Sequence, residues 1–266
     1  MDPVTIIEIF GLGCVVGLVS TFLGVGGGLL IVPLLPWLVG ITHHQAIATS
    51  LFTIFLVSSL NTYQFHRQKR VVWRVAKVVG PVTVSFSFLS GWLAANMSES
   101  FLKVFLLGVF ALVLIQSSEI FAFTRSAAVT NFFTSKKALW SLGTVAGITS
   151  GFGGIGSGLI LAPFLFAARI VRSDEVTPTS NSIMALTTLA GATSFMWKSF
   201  EMSGNTQLFG FVQWQYGLVI FNGAVLTSFI GKAYQHKMSD LLRKRLLMII
   251  LLCLMCRVIW DLSQTT

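Results

Sequence analysis

Residues 11–35, GLGCVVGLVSTFLGVGGGLLIVPLL, return 130 positions later at 141–165 as SLGTVAGITSGFGGIGSGLILAPFL, with 12 of 25 positions identical and no gap. The chain holds two copies of one unit. The pairs Gly13/Gly143, Gly17/Gly147, Ser20/Ser150, Phe22/Phe152, Gly24/Gly154, Gly26/Gly156, Gly28/Gly158 and Pro33/Pro163 carry most of the match, and the same register places Thr49-Ser50 on Thr179-Ser180. Duplication around glycine-interrupted apolar segments is how membrane carriers build a binding site between two repeats.

Hydrophobic residues make up 54% of the 266 and charged ones only 10%. Too few polar side chains exist to cover a water-soluble globule, so the chain is read as an all-α polytopic membrane protein. Segments long enough to cross a hydrocarbon core of about 30 Å fall at 46–65, 76–95, 101–123, 176–197, 208–230 and 241–259. Two more apolar regions, 4–39 and 138–168, are each broken near the middle by the repeated glycines. The copies are assigned to 1–125 and 136–266, together forming one transport domain.

Several classes drop out. The first Lys or Arg is Arg67, so the opening segment lacks the basic start of a cleaved signal and is expected in the mature fold. The +9 net charge sits in short loops, where a positive-inside bias accounts for it without nucleic acid. Cys14, Cys253 and Cys256 lie in apolar stretches, so the CxxC at 253–256 reads as two small apolar side chains rather than a metal or redox site. The GxGxxG at 151–156 lacks the strand of a nucleotide-binding unit. His43, His44, His66 and His236 sit in or beside loops, leaving no nucleophile with a base in reach inside the membrane. No enzyme activity, cofactor or metal is expected.

The basic residues decide how the broken regions sit. If each crosses the membrane once, the 18 Lys and Arg divide 10 against 8 between the two sides. If each enters and leaves by the same face as a re-entrant hairpin, all but Lys103, Lys198 and Arg257 collect on one side, 15 against 3 of the 18. That excess marks the cytoplasm, so both termini are expected outside. A hairpin plus three spans is an odd number of crossings, which turns the second copy upside down. The two glycine tips then meet near the midplane. Should the hairpin limbs span more fully, the count becomes five helices per half with the same parity.

Irregular backbone in a bilayer leaves polar groups that cost several kcal/mol each when unpaired, so it lasts only where protein or a hydrated cavity satisfies them. The tips, Gly24, Gly26, Gly27 and Gly28 in one copy and Gly153, Gly154, Gly156, Ser157 and Gly158 in the other, are therefore expected to line a site. The returning limbs start there as helices, with free N–H groups and the positive end of the dipole, which favours an anion. Hydroxyls of Ser20, Ser150, Ser157, Thr49, Ser50, Thr179 and Ser180 can add donors. Glu119 is the first choice for a proton carrier. Lys77 and Arg257 are read as snorkelling toward an interface, and glycines used only for helix packing are the competing explanation of the repeat.

With the GxGGG-like tips, Pro33, Ala48-Thr49-Ser50 and His66…Val71-Val72-Trp73 in view, the chain resembles the TauE/SafE family of sulfite and organosulfonate exporters over nearly its whole length. The resemblance implies a cell-membrane permease for sulfite or organosulfonates such as sulfoacetate, acting mainly in export by alternating access. Small sulfur-containing anions and the lipid bilayer are the partners it implies, with room for a homodimer. A passive anion channel and a membrane assembly protein are the other readings. One departure stands out: Ser157 replaces Gly27, and Pro178-Thr179-Ser180-Asn181 replaces Ala48-Thr49-Ser50-Leu51, which makes the halves unequal and adds Asn181 as a donor.

Overall fold

A computed structural model describes residues 2–23, 26–117, 136–167, 170–203, 210–234 and 240–264. Gly24 and Glu119 lie outside the described residues. Among those described the chain is all helix: α1 (Pro3–Leu23), α2 (Gly28–Val39), α3 (His43–Arg67), α4 (Trp73–Ala94), α5 (Glu99–Ser117), α6 (Lys136–Gly153), α7 (Gly158–Ala167), α8 (Ser173–Ser203), α9 (Trp214–Tyr234) and α10 (Asp240–Ser263). Each glycine-broken region is two helices, a long limb of 21 or 18 residues and a short one of 12 or 10. Among the described residues each copy thus has five helices, and the short limbs, at about 1.5 Å per residue, are too short to cross the bilayer by themselves.

Local chemistry explains the boundaries. Thr42 caps α3 in a reciprocal box: its hydroxyl accepts from the Gln45 N–H at 3.2 Å, and the Gln45 side chain accepts from the Thr42 N–H at 3.0 Å. His66 and Arg67 end that helix beside its negative pole. α1, α3, α4 and α10 contain stretches long and apolar enough to cross a membrane. α8 is more polar, but Thr187 and Thr188 return their hydroxyl protons to carbonyls one turn back, on Ile183 and Met184. Leu89, Leu112, Leu186, Leu226, Phe229 and Leu252 are exposed, as lipid-facing side chains are.

The two copies interleave. α1 packs along α9 and α6 along α4, while α3 pairs with α8 and α5 with α10. A Cβ on Gly13 would lie 2.5 Å from the Ile220 carbonyl oxygen, and one on Gly143 would lie 3.2 Å from that of Val79. Gly17 meets the Ala224 carbonyl as Gly147 meets that of Thr83. The partners 79/220 and 83/224 share one register, so the same close crossing occurs twice with the halves exchanged. These glycines serve helix approach.

Two ends of the bundle can be told apart. At one, the His43 N–H donates to the Glu99 carboxylate at 3.3 Å, His44 Nε2 meets the Met97 carbonyl at 3.0 Å, and Lys103 pairs with Asp261 at 2.7 Å. There Arg257 lies 5.8 Å from the Trp37 ring, and Lys198 lies 5.2 Å from that of Trp92, near the end of α4. At the other end, Trp73 donates to His66 at 3.2 Å, and Arg70 donates to the Asp174 carbonyl at 2.7 Å. Lys103, Lys198 and Arg257 thus share the first end, and Arg67, Arg70 and Arg172 belong to the second.

Candidate functional site

The glycine tips touch. A Cβ on Gly28 would stand 2.5 Å from the Gly154 carbonyl oxygen, and one on Gly26 would stand 3.3 Å from that of Ile155. The two tips achieve this differently. Gly154 and Gly156 adopt φ of 65° and 78°, a left-handed conformation open to glycine and strained for other residues. Gly27, in contrast, has φ −60° and is small because the Val16 side chain crowds it. Gly153 is looser, with Ile155 in ordinary contact.

Short helices start at both tips. Leu30 and Ile31 donate to the Gly27 carbonyl, and Ile160 and Leu161 to that of Ser157. The N–H groups ahead of them, at the first turns of α2 and α7, have no place in the helix ladder. With their dipoles they supply positive potential, and no charged residue is among the described ones that line the cavity beside the first tip.

Hydroxyls divide sharply. Thr49 accepts from the Gln213 N–H at 2.9 Å and Thr179 from the Val72 N–H at 3.1 Å. Each thereby anchors the residue just before a helix of the opposite copy, α9 or α4. Ser50 donates to the Gly154 carbonyl at 2.6 Å. Ser150, Ser157 and Ser180 are buried with no hydrogen-bond partner for their side-chain oxygens. Ser157 immediately precedes Gly158, and a Cβ there would be 3.6 Å from Ser180 Oγ. Leaving such a group unpaired costs about 1–3 kcal/mol, so a cluster of them calls for an explanation.

Beside the first tip lies a cavity of ≈ 20 Å³ that brings together Ser20, Gly26, Gly27, Thr53, Asn181 and Met184. Asn181 also donates to the Thr177 carbonyl at 2.9 Å. Ser150, Ser157 and Ser180 do not line it. Met184 is the residue that motif reading passes over. Its sulfur would lie 2.9 Å from a Cβ on Gly26, 3.0 Å from one on Gly156 and 2.8 Å from one on Gly158. The register shift of 130 carries it onto Ile54, which faces Gly28 and Gly156. Extending the repeat alignment past Thr49-Ser50 would have brought out this pair.

The profile of the sulfite exporter TauE/SafE family matches residues 9–258. The chain belongs to that family. Proteins similar to it include probable membrane transporter protein MJ0441 of Methanocaldococcus jannaschii, 27% identical over 85% of each chain. A probable membrane transporter protein of Haemophilus influenzae is 28% identical over 91% of each. Probable membrane transporter protein YunE of Bacillus subtilis is 22% identical over 94% of this chain and 96% of its own. No solved structure matches. As a TauE/SafE protein with four described helices long and apolar enough to cross a membrane, the chain belongs to a family of membrane transporters.

Proposed function

We propose that this TauE/SafE protein carries small sulfur-containing oxyanions, sulfite or organosulfonates, out across the cell membrane, and holds them where the two glycine tips meet. The observation that carries the reading is the set of buried, unpartnered hydroxyls of Ser150, Ser157 and Ser180 around the second tip. Together with the first-turn N–H groups of α2 and α7, which the helix ladder does not use, they form an uncharged donor set suited to an oxyanion. Ser20 and Asn181 extend it through the cavity beside the first tip.

The copies 1–125 and 136–266 act as one inverted-repeat transport unit, each opening with a re-entrant hairpin. Support comes from the reciprocal glycine crossings and from Lys103, Lys198 and Arg257 sharing one end of the bundle, which is the outer one and holds both termini. Access alternates as the interleaved halves rock about the tips, with Met184 and Ile54 wedged between them.

Purified protein should gain thermal stability with sulfite or a sulfonate, saturably, and lose that response when Ser157 and Ser180 are both changed to Ala. Indifference to sulfite, sulfonates, sulfate and thiosulfate alike would leave the glycines a packing role only. Uphill flux in liposomes driven by an ion gradient would exclude a passive channel.

A further inference from the structure

A fourth buried polar atom without a partner lies away from the tips: Nε2 of His43. The sequence pattern places this histidine in or beside a loop; in the structure it begins α3 and is only 5% exposed. Its ring lines a second cavity of ≈ 20 Å³ at the outer end, together with Pro33, Trp37, Lys103, Arg257 and Asp261.

The charges lining this cavity are two cations and one anion, a sum of +1 with a neutral imidazole. Asp261 is engaged by Lys103 at 2.7 Å, which blunts its repulsion of a second anion. The Arg257 guanidinium lies 5.8 Å from the Trp37 ring centroid, an arrangement that holds a planar fork ready for oxygens. An imidazole nitrogen can carry a proton toward the same point. We propose that His43, Lys103 and Arg257 form a second oxyanion site, at the outer end of the bundle and separate from the tips.

Two sources share this chemistry. An apolar groove of ≈ 800 Å³ between α2 and α10, walled by Leu30, Leu34 and Ile250, shares Trp37, Arg257 and Asp261 with the cavity. A phospholipid can therefore offer its phosphate here with a chain in the groove, or a free sulfur oxyanion can bind on its way out.

Full-length protein labelled with nitrogen-15 histidine, in maltoside detergent micelles that carry no phosphate, provides the test. The His43 signal is identified by its loss in His43→Gln. It should move saturably when sulfate is added, which assigns the site to free ions, or when phosphatidylglycerol is included without sulfate, which assigns it to the headgroup. Arg257→Gln should weaken the response about tenfold, as expected for losing one charge-assisted bond. Should that variant misfold, Arg257→Lys, which keeps the charge and loses the fork, should weaken it less. A His43 signal that ignores both anions overturns the proposal. So does an undiminished response in a folded Arg257→Gln. Neither result touches the tip site, whose residues are all distinct.

Discussion

Ser50 donates its hydroxyl proton to the carbonyl oxygen of Gly154 at 2.6 Å, binding α3 of the first copy to the tip of the second. Its counterpart 130 positions on, Ser180, has no such partner. The two serines should therefore separate stability from binding. Ser50→Ala should lower unfolding stability by about 1 kcal/mol. Ser180→Ala, which removes a buried hydroxyl without a partner, should raise it by about 1 kcal/mol or more while reducing sulfite-dependent stabilisation. Thermal unfolding with and without sulfite reads both, and equal behaviour of the two variants would contradict the division.

Contact between the tips makes Gly28 intolerant of any side chain. A methyl group there would meet both the Gly154 carbonyl and Ile54, so Gly28→Ala must push the tips apart. Its liposome flux should fall on the order of a hundredfold, as a misplacement of about 1 Å can do to a preorganised site. Gly11→Ala is the control, since nothing lies within 4 Å of its Cβ position. Flux through that variant should stay near the unmodified level.

Met184 fills the space that three tip glycines leave free. Met184→Ile copies the residue at the matching position of the first half, and near-isosteric swaps of this kind cost less than about 1.5 kcal/mol. Flux should survive it. Met184→Phe should block transport while the protein stays folded, and an unimpeded Phe variant would remove Met184 from the pathway.

Orientation can be tested directly in a background lacking Cys14, Cys253 and Cys256. Ser173→Cys, at the exposed start of α8, should react with an impermeant maleimide only from the cytoplasm. Ser203→Cys, at the last residue of that helix, should react only from outside. The reverse pattern would rule out the hairpin topology.

Helices, their breaks and the family were legible because each rests on a periodic or duplicated pattern: apolar length for the spans, and the shift of 130 for the tips. What pattern could not supply was the partner of each polar group. Thr49 and Ser50 look alike in sequence, yet one accepts from a backbone N–H and the other donates to a carbonyl. Both partners lie in the opposite copy, more than 100 residues away. Met184 escaped because a methionine in an apolar helix is ordinary until its neighbours are known. His43 escaped because burial at a helix start depends on α2, α5 and α10 closing over it.

The crossing of α1 with α9 also has a temporal side. The Thr227 hydroxyl donates to the Cys14 carbonyl, 213 positions earlier in the chain. At about 5–20 residues per second of synthesis, α1 waits on the order of 10 to 40 s for its partner. Throughout that interval its stripe of Gly13 and Gly17 faces lipid or the insertion machinery. The first half is thus an incomplete object at birth, and a cell making this protein must shelter one half until the other arrives.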